Sequence, residues 1–109
     1  MDFKEYQSAT DETAVYPTIG KKFIYPILGL NGEVGELTEK VKKLFRDHNI
    51  EVTKEFTDDV SKELGDILWY LARVATEFEL DLEDIAIENI RKLRSRKERG
   101  VIKGEGDNR

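Results

Sequence analysis

Cysteine is absent from the 109 residues. Disulfides, thiolate metal sites and a cysteine nucleophile are excluded with it. Histidine occurs once, as His48, so His-rich metal sites and the Glu-x-x-His pattern of di-iron bundles are excluded too. The only prolines, Pro17 and Pro26, lie in the first quarter, and none interrupts Ile27 to Arg99. No apolar run approaches the roughly 20 residues that span a bilayer. The opening Met1-Asp2-Phe3-Lys4-Glu5 lacks a signal peptide's apolar core. The expectation is a cytoplasmic protein with no membrane partner. Basic charge is also in deficit: 18 Lys and Arg against 23 Asp and Glu leave a net charge of −5. That argues against a nucleic-acid polymer as partner, because phosphate backbones select basic surfaces. There is no glycine-rich Walker loop, and Ser61 and Ser95 have no nearby His to activate them.

What is present is charge and apolarity in helical register. Charged residues make up 38% and hydrophobic ones 39%, enough for one small core. A domain this short buries only about two thirds of its chain surface, so association with another copy is an expected further source of burial. A first helix is expected from Asp2, with Glu5 completing a capping-box pattern and Phe3, Tyr6 and Thr10 on one side. A loop follows over Val15 to Tyr25. The second helix begins near Pro26, a residue suited to a first turn. Its stripe is Leu30, Val34, Leu37, Val41 and Leu44, and it ends around Arg46 to Asn49. The third runs from Thr57 or Asp58 to Phe78, with Val60, Leu64, Ile67, Leu71, Val74 and Phe78 as its stripe. The fourth starts at the N-cap Asp81, with Leu82, Ile85, Ala86, Ile90 and Leu93 apolar. Short connections make sequential helices antiparallel neighbours. The expected fold is all-α: an antiparallel bundle of about four helices over residues 1–99, followed by an irregular, Gly-rich arm over 100–109.

The acids repeat a pattern. With Leu30 at zero on a helical wheel, Glu33 falls at about −60° and Glu36 at about −120°. With Val60 at zero, Glu63 and Asp66 fall at the same two angles. Both helices therefore carry an acidic pair on the same flank of the stripe. Facing one another, four such carboxylates repel strongly without cations, and hard oxygen ligands suit Mg²⁺ or Mn²⁺. A solvated acidic face would have the same composition. Gly35 and Gly65 sit inside the two pairs, although Gly costs about 0.5–1 kcal/mol in a helix interior. Either a ligand or a tight helix–helix contact would explain them.

On the fourth helix Asn89 falls among the apolar positions, with Lys92 and Arg96 on the same side. This reads either as a satisfied core amide with two snorkelling cations, or as an edge that faces phosphates. Trp69 lies about 180° from the third helix's stripe, flanked by Leu68 and Tyr70. A helix apolar on several sides is buried on several sides, so Trp69 is expected at a contact between subunits. The arm, ending Asp107-Asn108-Arg109, is either a disordered terminus or a segment that orders over ligand.

Three segments taken together, Glu33-Val34-Gly35-Glu36-Leu37, Glu63-Leu64-Gly65-Asp66-Ile67-Leu68-Trp69-Tyr70-Leu71 and Glu88-Asn89-Ile90-Arg91-Lys92-Leu93 with Arg96, resemble the MazG-like nucleotide pyrophosphohydrolases of the all-α NTP pyrophosphatase superfamily. The lead-in Tyr25-Pro26-Ile27-Leu28-Gly29-Leu30 and the tail Gly104-Glu105-Gly106-Asp107-Asn108-Arg109 resemble a short, single-domain branch. The resemblance implies Mg²⁺-dependent hydrolysis of a nucleoside triphosphate to the monophosphate and pyrophosphate. It implies Glu33, Glu36, Glu63 and Asp66 as catalytic metal ligands, and Asn89, Lys92 and Arg96 as phosphate-binding. Lys22 is a further candidate for the phosphates. Many relatives carry an extra acid before the first and third signature residues; Gly32 and Lys62 stand there, which leaves the general base open. A dUTP or dCTP diphosphatase, or a phosphoribosyl-ATP pyrophosphohydrolase, is the alternative on the same scaffold. A non-enzymatic oligomerisation module is the alternative of another class. The partner expected for the chain itself is a second copy, as homodimer or homotetramer.

Overall fold

The computed structural model describes residues 1–109, and its regular structure is helical. Helix α1 spans Phe3–Thr10, α2 Ile24–Asp47, α3 Lys54–Glu77 and α4 Leu82–Glu98, with a short 3₁₀ turn at Asp11–Thr13. Each boundary has a local cause. The Asp2 carboxylate accepts the Glu5 N–H at 2.8 Å, as the capping pattern requires. Pro26 lies in the first turn of α2, which begins two residues earlier, at Ile24. α3 starts ahead of the expected Thr57 or Asp58, because Thr53 supplies the cap and accepts the Phe56 N–H at 3.1 Å. Asp81 caps α4 through the Glu83 and Asp84 N–H groups. None of these helices is long and apolar enough to cross a membrane.

α2 and α3 form an antiparallel pair, and residues early in one meet residues late in the other. The turn between them places Asn49 and Ile50 at φ of 55° and 62°. The Ile50 N–H reaches back to the Leu44 carbonyl at 3.1 Å. α1 lies across α3 and α4. Gln7 fastens that junction, donating to Thr76 Oγ1 and the Leu80 carbonyl and accepting the Leu82 N–H.

The covered line of each long helix is displaced from its expected stripe. In α2 it runs Pro26, Leu30, Glu33, Leu37, Lys40 and Leu44; in α3 it runs Phe56, Val60, Glu63, Ile67, Tyr70 and Val74. Both follow the 4, 3, 4, 3 spacing of one helix face, and both include an acid. Val34, Val41, Leu64 and Leu71 fall off the line and are exposed, as are Ile85, Ile90 and Leu93 of α4. α4 does not pack on α2. The bundle is open, with a radius of gyration of 17.0 Å against about 13 Å for a compact chain of this length.

Trp69 finds its cover within its own chain. Its indole N–H donates to Thr13 Oγ1 at 2.9 Å, and its ring meets Tyr16 and Tyr70 edge-on. Tyr16 in turn stacks on Tyr25 with centroids 5.7 Å apart. The segment after α1 thus covers part of the side of α3 that carries Trp69, which stays partly exposed. That segment is held by Arg73, a buried guanidinium that donates to Thr10 Oγ1, to Asp11 at 2.5 Å and to the Tyr16 hydroxyl, with Glu77 at 3.7 Å. A buried cation persists only when paired in this way.

Candidate metal centre

The antiparallel register carries Glu33 of α2 opposite Glu63 of α3. Glu33, Glu36 and Glu63 each bring a carboxylate oxygen to within 4.8 Å of the others. Asp66 is exposed and lies outside this trio, but its charge reaches Glu33. Three of the four expected ligands are therefore gathered and the fourth borders them.

The trio is electrostatically unsatisfied. Glu63 is 8% exposed. One oxygen of Glu33 and one of Glu63 are buried with no hydrogen-bond partner. Desolvation pushes the Glu33 carboxyl up to about 7; its hydrogen bond with Glu63 and the charges of Glu36, Asp66 and Glu63 add to the effect. One basic group approaches: Lys40 Nζ lies 3.9 Å from Glu63 Oε1. Buried polar atoms normally have partners. Orphaned carboxylate oxygens on facing helices fit a hard divalent cation. Lys40 went unmarked in the sequence, yet it sits seven residues after Glu33, two turns along the same face.

Of the two explanations for the glycines, the helix–helix contact within the chain is not found. Gly35 and Gly65 have open space where a side chain would extend, as does Gly32. No helix–helix contact within the chain explains them. The tight contact is at Gly29, against the ring of Tyr70. Burial, with the nearby charges of Tyr25, Glu33 and Asp66, raises the Tyr70 hydroxyl's pKa.

The expected phosphate-binding residues are not on this surface. Asn89 is exposed rather than held in a core, because its stripe is itself uncovered. Lys22 is exposed in the turn before α2. Lys92 and Arg96 face the C-terminal arm. Lys92 Nζ lies 3.2 Å and Arg96 Nη2 3.4 Å from Asp107 Oδ1. Arg96 is buried, donates to the Asp107 and Gly106 carbonyls, and keeps a buried Nε without a partner. The arm is thus folded back along α4.

The fold is thus an all-helical chain that gathers Glu33, Glu36 and Glu63 across two antiparallel helices. The chain belongs to the MazG nucleotide pyrophosphohydrolase domain family, whose profile matches residues 26–101. It is similar to the Gene 37 protein of Mycobacterium phage L5, 45% identical over 109 residues that cover 95% of this chain and 96% of that protein. No solved structure matches it. The matched segment holds all four acids together with Asn89, Lys92 and Arg96; α1 and Lys22 lie outside it.

Proposed function

We propose that this chain is a Mg²⁺-dependent nucleoside triphosphate pyrophosphohydrolase. Water attacks the α-phosphorus of an NTP or dNTP and the α–β anhydride bond breaks. Pyrophosphate leaves with the bonding electron pair, and the water's proton is released. The observation that carries this reading is the pair of buried, unpartnered oxygens on Glu33 and Glu63 beside Glu36. Those three residues, with Asp66, would hold Mg²⁺, and Mn²⁺ is a workable substitute. The bound ion supplies positive charge beside the phosphate oxygens and the attacking water. Glu33 would hold the ion as an ionised carboxylate. Asn89, Lys92, Arg96 and Lys22 orient the β- and γ-phosphates.

Because α4 does not pack on α2, a second copy is needed to bring α4 over the acids. The exposed apolar line through Val34, Val41, Leu64 and Leu71 supports the same reading. The working form is a homodimer or dimer of dimers, in the cytoplasm where nucleotides and Mg²⁺ are at hand. The test is a panel of NTPs and dNTPs, with dUTP, dCTP and phosphoribosyl-ATP included, incubated with Mg²⁺ and analysed for pyrophosphate against orthophosphate. Release of orthophosphate alone, or no turnover of any nucleotide, defeats the proposal.

A further inference from the structure

We propose that Asp107 is a specificity-determining residue: its carboxylate occupies the Lys92–Arg96 cation pair as an internal stand-in for a substrate phosphate, which a polyphosphate must displace. The proposal rests on the reading of Lys92 as phosphate-binding. Its geometry comes from two separate sets of bonds.

The first set fixes the course of the arm. Arg96 Nη2 donates to the Asp107 carbonyl at 2.9 Å and to that of Gly106 at 3.4 Å. Arg99 donates to the Arg109 carbonyl at 2.7 Å. Arg109 donates to the carbonyls of Val101 at 3.0 Å, Ile102 at 3.2 Å and Gly106. None of these bonds uses the Asp107 side chain, so the arm keeps its path when that side chain swings away.

The second set is the carboxylate's own. Its contacts to Lys92 at 3.2 Å and Arg96 at 3.4 Å are made by a side chain that is 85% exposed, whereas Arg96 is 4% exposed. Arg96 is held in place and the anion is free to leave. Exposed ion pairs are weak and screened by salt, so this one exchanges readily. The hydrogen bond from Lys92 keeps the Asp107 carboxyl below the usual carboxylate range, so it stays ionised and competes throughout the neutral range. Phosphate oxygens are acceptors of the same kind for ammonium and guanidinium groups, with more charge per ligand. The buried Arg96 Nε–H still lacks an acceptor, a demand the single carboxylate does not meet. A singly charged anion gains little by replacing Asp107, whereas a polyphosphate gains contacts and charge.

A ligand's apparent affinity is divided by the fraction of its site left open. The full chain, Asp107→Asn and Lys92→Ala are titrated calorimetrically with inorganic pyrophosphate at low salt without Mg²⁺. Asp107→Asn is expected to bind about twofold or more tightly than the parent, and Lys92→Ala to lose binding. Equal or weaker binding by Asp107→Asn, with Lys92→Ala still defective, overturns the stand-in role and leaves the phosphate reading of Lys92 intact. Parental affinity in Lys92→Ala, or no binding by any of the three, overturns both. Circular dichroism of each variant confirms that the side chains were changed without unfolding.

Discussion

The ring of Tyr70 fills the space in which a side chain at position 29 would lie, so Gly29 sets how closely α2 approaches α3. The contact is one turn from Glu33 on α2 and one turn from Asp66 on α3. Gly29→Ala is expected to destabilise the protein by about 1–3 kcal/mol through overpacking. Pairing it with Tyr70→Ala should recover part of that loss as a coupling energy in a double-mutant cycle. Denaturant melts of the four proteins measure it, and strict additivity would place the helix spacing elsewhere.

Glu63→Gln keeps the shape of a mostly buried side chain and removes its charge. Turnover is expected to fall at least about 100-fold, since even residues that only support metal ligands cost 10–100-fold. The metal-free fold should hold or gain stability from reduced repulsion. Parental Mg²⁺ affinity in this variant, read by calorimetry, counts against Glu63 as a ligand.

The Glu33 carboxyl, raised to about 7 from 4.5, binds more protons in the folded state than in the unfolded one between those values. Its contribution is present below the unfolded pKa and is lost as pH rises through the folded one. The melting temperature of metal-free protein should therefore fall between about pH 5 and pH 8. Mg²⁺ affinity should rise over the same interval as that proton is lost. Calorimetric melts in EDTA and in Mg²⁺ across the range check both signs.

Arg73 is charge-paired and buried at the junction of α1, α3 and the aromatic segment. Arg73→Met should cost about 3 kcal/mol or more, because Glu77 loses its cation in a largely covered setting. It should also free Tyr16 and Trp69, which a shift in tryptophan emission reports.

Leu64 and Leu71 are exposed on α3 although their spacing marks them as apolar-face residues. Leu64→Glu and Leu71→Glu are expected to yield monomers with little loss of helix. Sedimentation at micromolar concentration decides the matter, and a parent chain that is already monomeric removes the second copy from the site.

The four helices were legible in the sequence because each has an uninterrupted 3.6-residue period, and α1 and α4 open on the cap residues Asp2 and Asp81. The acid pairs were legible because a three-residue spacing puts two carboxylates on one flank of a helix. The rotation of each helix about its axis was not. It depends on a ring in α3 entering a gap in α2, and sequence spacing around position 29 does not reveal that. The wheel therefore put Glu63 at the edge of a stripe, whereas it lies on the covered line. The cover over Trp69 escaped for a similar reason: Thr13 and Tyr16 lie more than 50 residues away along the chain. Asp107 was visible as an acid near the end, but its bond to Lys92 depends on the chain reversing after Gly100, where φ is 73°.

The turn joining α2 to α3 offers a use outside catalysis. Ile50 adopts a left-handed backbone conformation that a β-branched residue tolerates poorly, and its side chain is exposed. A glycine there keeps the path of the chain without the steric conflict. For an engineer who wants a hardier protein for storage or for crystals, Ile50 is the first residue to replace.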